Sequence, residues 1–178
     1  MKREINPFDY AEEIAKAVQK GVLLTTKSGD RVNSMTISWG MIGIKWSRQM
    51  FITFVRENRF TKSMLDDSME FTINVPIGEY DKNITDYCGK MSGRDVDKIK
   101  ELNLTLVEPD EISVPAIKEL PLTLECKVLY KQKQDPDAVP DFIKKTTYPQ
   151  DVPSTYPLSN RDYHTAYYGQ IVKAYIVE

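Results

Sequence analysis

From Val32 to Trp39 the chain reads Val, Asn, Ser, Met, Thr, Ile, Ser, Trp, alternating in size and polarity residue by residue. A period of two is the signature of a strand with two chemically different faces. Asn33, Met35, Ile37 and Trp39 fall on one face, and Ser34, Thr36 and Ser38 on the other. Three hydroxyls in a row on a β-prone strand are an unusual choice for a face that meets only water. Such a row can donate hydrogen bonds to an anionic ligand while the opposite face packs inward. An exposed polar face on an edge strand accounts for the same pattern.

The neighbouring segments extend this strand into a β-rich fold. Val22 to Lys27 and the turn residues Ser28, Gly29 and Asp30 make a hairpin with it. Gly40 and Gly43 are expected to bracket a turn after Trp39. Met50 to Val55 is an apolar run of strand length, Glu70 to Val75 another that stops at Pro76. Leu104 to Val107, Leu122 to Tyr130 and about Thr165 to Val177 complete the strands, with Gly169 placed for a bulge. The helices are few and short. Pro7 to Lys20 has Asn6 as cap, proline at its start, Ala11, Ile14, Ala15 and Val18 on one face, and Gly21 as stop. Thr61 to Ser68, Tyr80 to Cys88 and Asp95 to Leu102 are shorter. Lys131 to Arg161, with five prolines, reads as a long surface loop that covers a site or a partner. The expectation is a mainly β fold, a split β-barrel with short peripheral helices, in one domain over residues 1–178.

Composition narrows the function. A chain of 178 residues with 41% hydrophobic and 28% charged residues is ordinary for a globular domain. A formal net charge of -2 gives no footprint for nucleic acid. No apolar run reaches the ~20 residues that span a bilayer, and the first residues carry no apolar leader, so the expected location is the cytoplasm. Cys88 and Cys126 are too few for a disulfide framework or a metal site and read as buried, reduced thiols.

Three segments carry chemistry. Arg56, Arg59, Thr61 and Lys62 gather three cations and a hydroxyl immediately after a buried strand, with Thr61 at a helix start. Free backbone N–H groups and the positive end of the helix suit a phosphate there. Ser92, Gly93, Arg94 and Asp95 open a further helix, where glycine lets the backbone approach a ligand closely. Asp97 and Lys98 read as a surface pair. His164 is the single histidine, and a lone histidine is more often structural than catalytic.

Taken in order, Asn33 to Trp39, Arg56 to Lys62 with Phe71 to Pro76, and Cys88 to Lys98 resemble the flavin reductase-like family of FMN-binding split barrels. The resemblance covers roughly residues 20–178. It implies bound FMN, with NADH or NADPH as electron donor and a small molecule such as free flavin, a ferric complex or a quinone as acceptor. It places the phosphate near Arg56, Arg59, Thr61 and Lys62. The ribityl chain and ring would lie along Asn33, Ser34, Met35, Thr36, Ser38 and Trp39, closed by Ser92, Gly93 and Asp95. Alternation leaves open which strand face meets the ring, and Trp39 fits either a core position or a ring contact. The resemblance puts His164 in the catalytic position, near flavin and nicotinamide, though relatives show Gly-Asp-His where this chain has Asp162, Tyr163 and His164. It also implies a homodimer with sites at the subunit boundary. A flavin binder without turnover, serving as electron carrier or redox-responsive protein, is the alternative reading.

Overall fold

A computed structural model describes residues 1–151 and 161–178. Ten strands and five α-helices are assigned among them. In chain order these are β1 (Lys2–Glu4), α1 (Ala11–Lys20), β2 (Val22–Ser28), β3 (Arg31–Ile37), β4 (Gly40–Lys45), β5 (Arg48–Arg56) and α2 (Phe60–Ser68). They continue as β6 (Glu70–Val75), α3 (Lys82–Lys90), α4 (Lys98–Glu101), β7 (Leu106–Val107), β8 (Ala116–Ile117), β9 (Leu122–Lys133), α5 (Asp141–Thr147) and β10 (His164–Val177).

Eight strands form one antiparallel sheet in the order β3-β2-β6-β9-β10-β5-β4, with β1 added on β10. β3 and β4 are the two ends of that order, yet only Ser38 and Trp39 separate them in sequence. In a flat sheet six spacings of ~4.8 Å would hold them ~29 Å apart. The three peptide steps from Ile37 to Gly40 reach at most ~11 Å. The sheet must therefore curl back on itself, and the barrel stays split where Ser38 and Trp39 cross. The spine is β10, which pairs with β9 along most of its length, with β5 at its start and with β1 at its end. Its register with β9 shifts at Tyr168/Gly169, the bulge expected at that glycine. A Cβ on Gly169 would lie 2.5 Å from the Phe71 ring, so the bend also requires the missing side chain.

The barrel interior is apolar: Leu24, Phe51, Val55, Phe71, Ile73, Leu124 and Tyr167 are fully buried there, and Ile14 and Val18 of α1 close one end. β2 is buried on both faces. Leu24 points into the barrel, and Leu23 packs outside with Ile84, Cys88, Leu104, Ile117 and Leu120 under α3. Helix α1 is entered through a 3₁₀ turn, Pro7–Tyr10, with the Asn6 side chain accepting from the Phe8 N–H. Ala15, expected inward, is exposed.

Three local expectations are corrected. Gly40 and Gly43 lie inside β4, and the turn falls instead at Trp46 and Ser47, with φ of 52° and 56°. Positive φ at both positions is the hairpin geometry usually supplied by Asn-Gly or Asp-Gly, a signal this chain lacks. No helix starts at Asp95: α4 is a single turn capped by Asp97, whose carboxylate accepts from the Lys100 N–H. Lys131–Lys133 belong to β9, and a 3₁₀ turn at Pro136–Ala138 and α5 follow within the segment read as loop. The part of that reading covering residues 152–160 lies outside the described residues.

Candidate functional site

Two adjoining hollows open beside the split of the barrel. The larger, about 590 Å³, lies between the β5–α2 turn and the Gly89–Lys98 segment. The smaller, about 300 Å³, continues along β3 to Trp39, Arg56 and His164. Met35, Thr36 and Arg59 line both, so they form one cleft.

The cleft is cationic. Arg56 ends β5 and is buried; it donates to the carbonyls of Asp162 at 2.5 Å and Thr147 at 3.3 Å. Burial lowers its pKa, Tyr148 and Asp162 act against that, and Arg59 adds to it. Arg59 precedes α2, and its guanidinium donates no hydrogen bond to the described residues. Burial lowers its pKa and Asp162 opposes the shift. A desolvated guanidinium without a hydrogen-bonded carboxylate is a site prepared for an external anion. Arg94 hangs over Phe60 and donates to the Asn58 carbonyl at 2.9 Å.

Lys98 is the residue that sequence reasoning missed. It is only 4% exposed, and its ammonium donates to the carbonyls of Ser34 at 2.8 Å and Cys88 at 3.0 Å. Two acceptors leave one N–H of the ammonium over, and the residue lines the larger hollow. Burial lowers its pKa to about 8, with Cys88 opposing the shift and Arg59 adding to it. Burial likewise pushes the Cys88 thiol up to about 11, against the pull of Lys98. Its neighbour Asp97, read as its surface partner, pairs with Lys100 instead.

Most of the expected site residues converge on this cleft. Met35, Thr36, Ser38, Trp39, Arg56, Arg59, Thr61, Ser92, Gly93, Asp95 and His164 line one hollow or both. Trp39 is 44% exposed and therefore not a core residue. The hydroxyl row does not act together. Ser34 is fully buried with its hydroxyl 2.6 Å from that of Thr25, in a seam that runs on through Asn74 to Thr123. Thr36 donates to the Thr85 carbonyl, which leaves Ser38 as the exposed hydroxyl. Asn33 is buried beneath the cleft. Its amide donates to Thr61 at 2.8 Å, and its oxygen lies 2.3 Å from where a Cβ on Gly93 would stand. Lys62 turns away and pairs with Asp66 at 2.7 Å and Glu57 at 3.8 Å. Its charge is committed to those carboxylates, and it lines neither hollow.

His164 opens β10 opposite Arg56 in register. Its ring lies 4.7 Å from that of Trp39, and Nδ1 is 2.8 Å from the Tyr148 hydroxyl. Burial, then Arg56 and Arg59, lower its pKa to about 3, so the imidazole is neutral at physiological pH. Tyr148 and Gln134, its partners, come from the segment read as loop, where no periodic pattern marked them.

A split antiparallel barrel with a cationic cleft leading to an aromatic and imidazole wall defines a class of fold rather than a single activity. Comparison with known proteins narrows it: residues 16–178 match the flavin reductase like domain, and the chain belongs to that family. An uncharacterized protein of Archaeoglobus fulgidus is 34% identical over 100 residues, 56% of this chain and 55% of that protein. A second, from Pyrococcus abyssi, is 28% identical over 60% of this chain and 59% of its own length. The matched stretches thus span little more than half of those relatives. Among solved structures, flavoredoxin from Methanosarcina acetivorans has a TM-score of 0.63 at 24% identity, covering 89% of this chain and 68% of that one. The Streptomyces globisporus C-1027 NADH:FAD oxidoreductase SgcE6 has a TM-score of 0.63 at 14% identity, covering 88% and 75%. These likenesses establish the split-barrel fold.

Proposed function

We propose that the chain is an FMN-binding oxidoreductase that takes electrons from NADH or NADPH and delivers them to a small-molecule acceptor such as free flavin, a ferric complex or a quinone. The observation that carries the reading is the convergence of Arg59 and Lys98 on one cleft that ends at Trp39 and His164. The donor set suits flavin mononucleotide: an uncommitted guanidinium and a spare ammonium N–H for the phosphate, and a slot beside Met35, Thr36 and Trp39 for a flat ring. Gly93 keeps the approach open where any side chain would collide with Asn33. When bound, the flavin supplies the two-electron chemistry. The chain's own part is to hold the phosphate, orient the ring against β3 and keep water off its face. His164, neutral and held by Tyr148, positions a reaction partner and does not supply a proton. The name of the Streptomyces oxidoreductase supports a nicotinamide donor.

In this reading the chain works as a homodimer. β4, β5, β10 and β9 carry Met41, Ile52, Tyr168 and Tyr130 in one cross-strand row, with Met41 56% and Tyr130 41% exposed. A second copy is the natural cover for such a row, and an obligate interface would exceed ~2,000 Å². Buried, unpaired Cys88 and Cys126 fit a reducing compartment such as the cytoplasm. Among the described residues no helix is long and apolar enough to cross a membrane.

Absorbance of the purified protein tests the cofactor: a band near ~450 nm marks bound isoalloxazine. Steady-state oxidation of NADH and NADPH with several acceptors tests turnover. Flavin without turnover would replace the enzyme reading by that of an electron carrier. Sedimentation at low micromolar concentration tests the dimer, and a monomer retaining stoichiometric FMN would refute a shared site.

A further inference from the structure

Behind Trp39 and His164 lies a third cavity, of about 780 Å³, which shares Ser38, Trp39, Phe54 and His164 with the cationic cleft. Its character is different. Val18, Phe54, Val139 and Ala166 supply apolar walls. Lys133 and Asp135 are the charged residues among its described lining, and both lie at its solvent-facing edge: the Lys133 side chain is 71% exposed and Asp135 caps a turn. The Lys133 ammonium lies 3.8 Å from Glu57, and the Asp135 carboxylate caps the turn at Pro136 by accepting from the Asp137 N–H. A cavity of this size and polarity suits an uncharged ring, whereas the phosphates of a dinucleotide would find no buried cation among its described lining.

The hydrogen bonds around His164 fix what its ring can offer. The Tyr148 oxygen lies 2.9 Å from Gln134 Oε1 and 2.8 Å from His164 Nδ1. Gln134 Oε1 also accepts from the backbone N–H of His164 at 3.3 Å, which identifies it as the amide oxygen. An amide oxygen only accepts, so the single Tyr148 proton goes to Gln134. The Tyr148 oxygen must then accept from Nδ1–H. In a neutral imidazole the proton on Nδ1 leaves Nε2 as a bare acceptor. Nε2 has no hydrogen-bond partner among the described residues.

We infer that this chamber is a binding site for a neutral aromatic molecule carrying an O–H or N–H donor, a phenol or quinol in class, whose donor bonds to His164 Nε2 while its ring packs between Trp39, Phe54 and Ala166. The inference deepens the oxidoreductase reading, and rests on it only in taking a quinol occupant as the two-electron, two-proton reduced product of a quinone acceptor.

Calorimetric titration of the flavin-loaded full chain at pH 7 with 2-naphthol and with 2-methoxynaphthalene tests it. The pair differ by one methyl group that removes the donor. Naphthol is expected to bind at least tenfold more tightly. In Tyr148→Phe the ring is free to carry its proton on Nε2, so the preference falls at least fivefold and the acceptor ligand 2-acetonaphthone gains affinity. Ala166→Phe narrows the chamber and is expected to weaken naphthol at least tenfold while FMN absorbance and melting temperature are retained. Equal affinity for naphthol and its ether, or naphthol binding unchanged in Ala166→Phe, overturns the inference. Should Tyr148→Phe fail to fold, the wild-type comparison and Ala166→Phe still decide. Should the chain carry no flavin, the oxidoreductase reading fails, and the same titration on the flavin-free chain decides the chamber separately.

Discussion

The Lys98 ammonium lies 2.8 Å from the carbonyl oxygen of Ser34, on the strand that the sequence marks most clearly. It ties α4 to β3 and places a positive charge under the cleft. No carboxylate pairs with it among the described residues, and the charged or titratable neighbours that act on it are Cys88 and Arg59. Its charge is therefore available to an incoming anion.

Raising the pH through about 8 removes the Lys98 proton. FMN affinity is expected to fall at least threefold between pH 7 and pH 9, because a cation facing the phosphate is lost. Riboflavin, which lacks the phosphate, should not follow. In Lys98→Met the pH dependence should disappear. Quenching of flavin fluorescence on titration measures all three. A pH-independent FMN affinity in the native chain refutes the role.

Arg59 and Lys62 are three residues apart in sequence and make opposite predictions. Arg59→Ala removes a guanidinium that lines both hollows. A charge-assisted bond is worth about 1.5–3 kcal/mol, so FMN should bind roughly 10- to 150-fold more weakly. Lys62→Ala removes a partner of Asp66 instead. It should leave FMN affinity within about twofold and lower the melting temperature. Equal losses of FMN from both variants would mean that α2 presents its charges differently from the arrangement seen here.

Acid stability isolates His164, because the chain has one histidine. Its folded pKa of about 3 lies below the ordinary 6.5. The unfolded chain takes up a proton that the folded chain refuses, so stability is full above about 6.5 and declines as pH falls toward 3. The slope approaches ~1.4 kcal/mol per pH unit. Burial alone would raise the Asp66 carboxyl, but hydrogen bonds from Lys131, Lys62 and Tyr167 prevail and hold it at about 2. Its contribution is present above the ordinary 3.8 and is lost as pH falls toward 2. Urea unfolding midpoints should therefore fall from pH 6.5 to 4.5 in the native chain and stay flat over that window in His164→Gln.

The strands and the cleft were legible in the sequence to different degrees. Periodicity of two marked β3, and the apolar runs marked β5 and β6, because burial in a barrel leaves a pattern along the chain. Positions that depend on contact between distant segments left none. Lys98 looks like a solvated partner of Asp97 until Ser34 and Cys88 are folded against it. Ser34 looks available until Thr25 is paired beside it. Trp46 and Ser47 lack the Asn-Gly or Asp-Gly signal of such a turn, and the hairpin geometry of β4 and β5 imposes their positive φ. The segment holding Gln134 and Tyr148 is polar and proline-rich, so its short helix and its bonds to His164 have no amphipathic signature.

Two glycines at the cleft give the last contrast. Gly93 is buried, and a Cβ there would lie 2.3 Å from Asn33 Oδ1 and 2.7 Å from the Phe60 ring. Asn33 cannot retreat without releasing Thr61, to which it donates at 2.8 Å. The carbonyl of Gly93 is itself held by the Arg31 guanidinium, which lies over the same Phe60 ring. Gly93→Ala should therefore displace Asn33 and the start of α2 together, costing about 1–3 kcal/mol and weakening FMN. Gly89 sits within α3, and a Cβ there would meet Thr36 at 3.4 Å, an ordinary contact. Gly89→Ala should keep FMN affinity and stabilise the helix by up to ~1 kcal/mol, since alanine loses less backbone freedom than glycine on becoming helical. Thermal unfolding and flavin titration of the two variants, run side by side, check both statements. A Gly93→Ala protein with native stability and native FMN affinity would show that the floor of the cleft does not depend on the Asn33 contact.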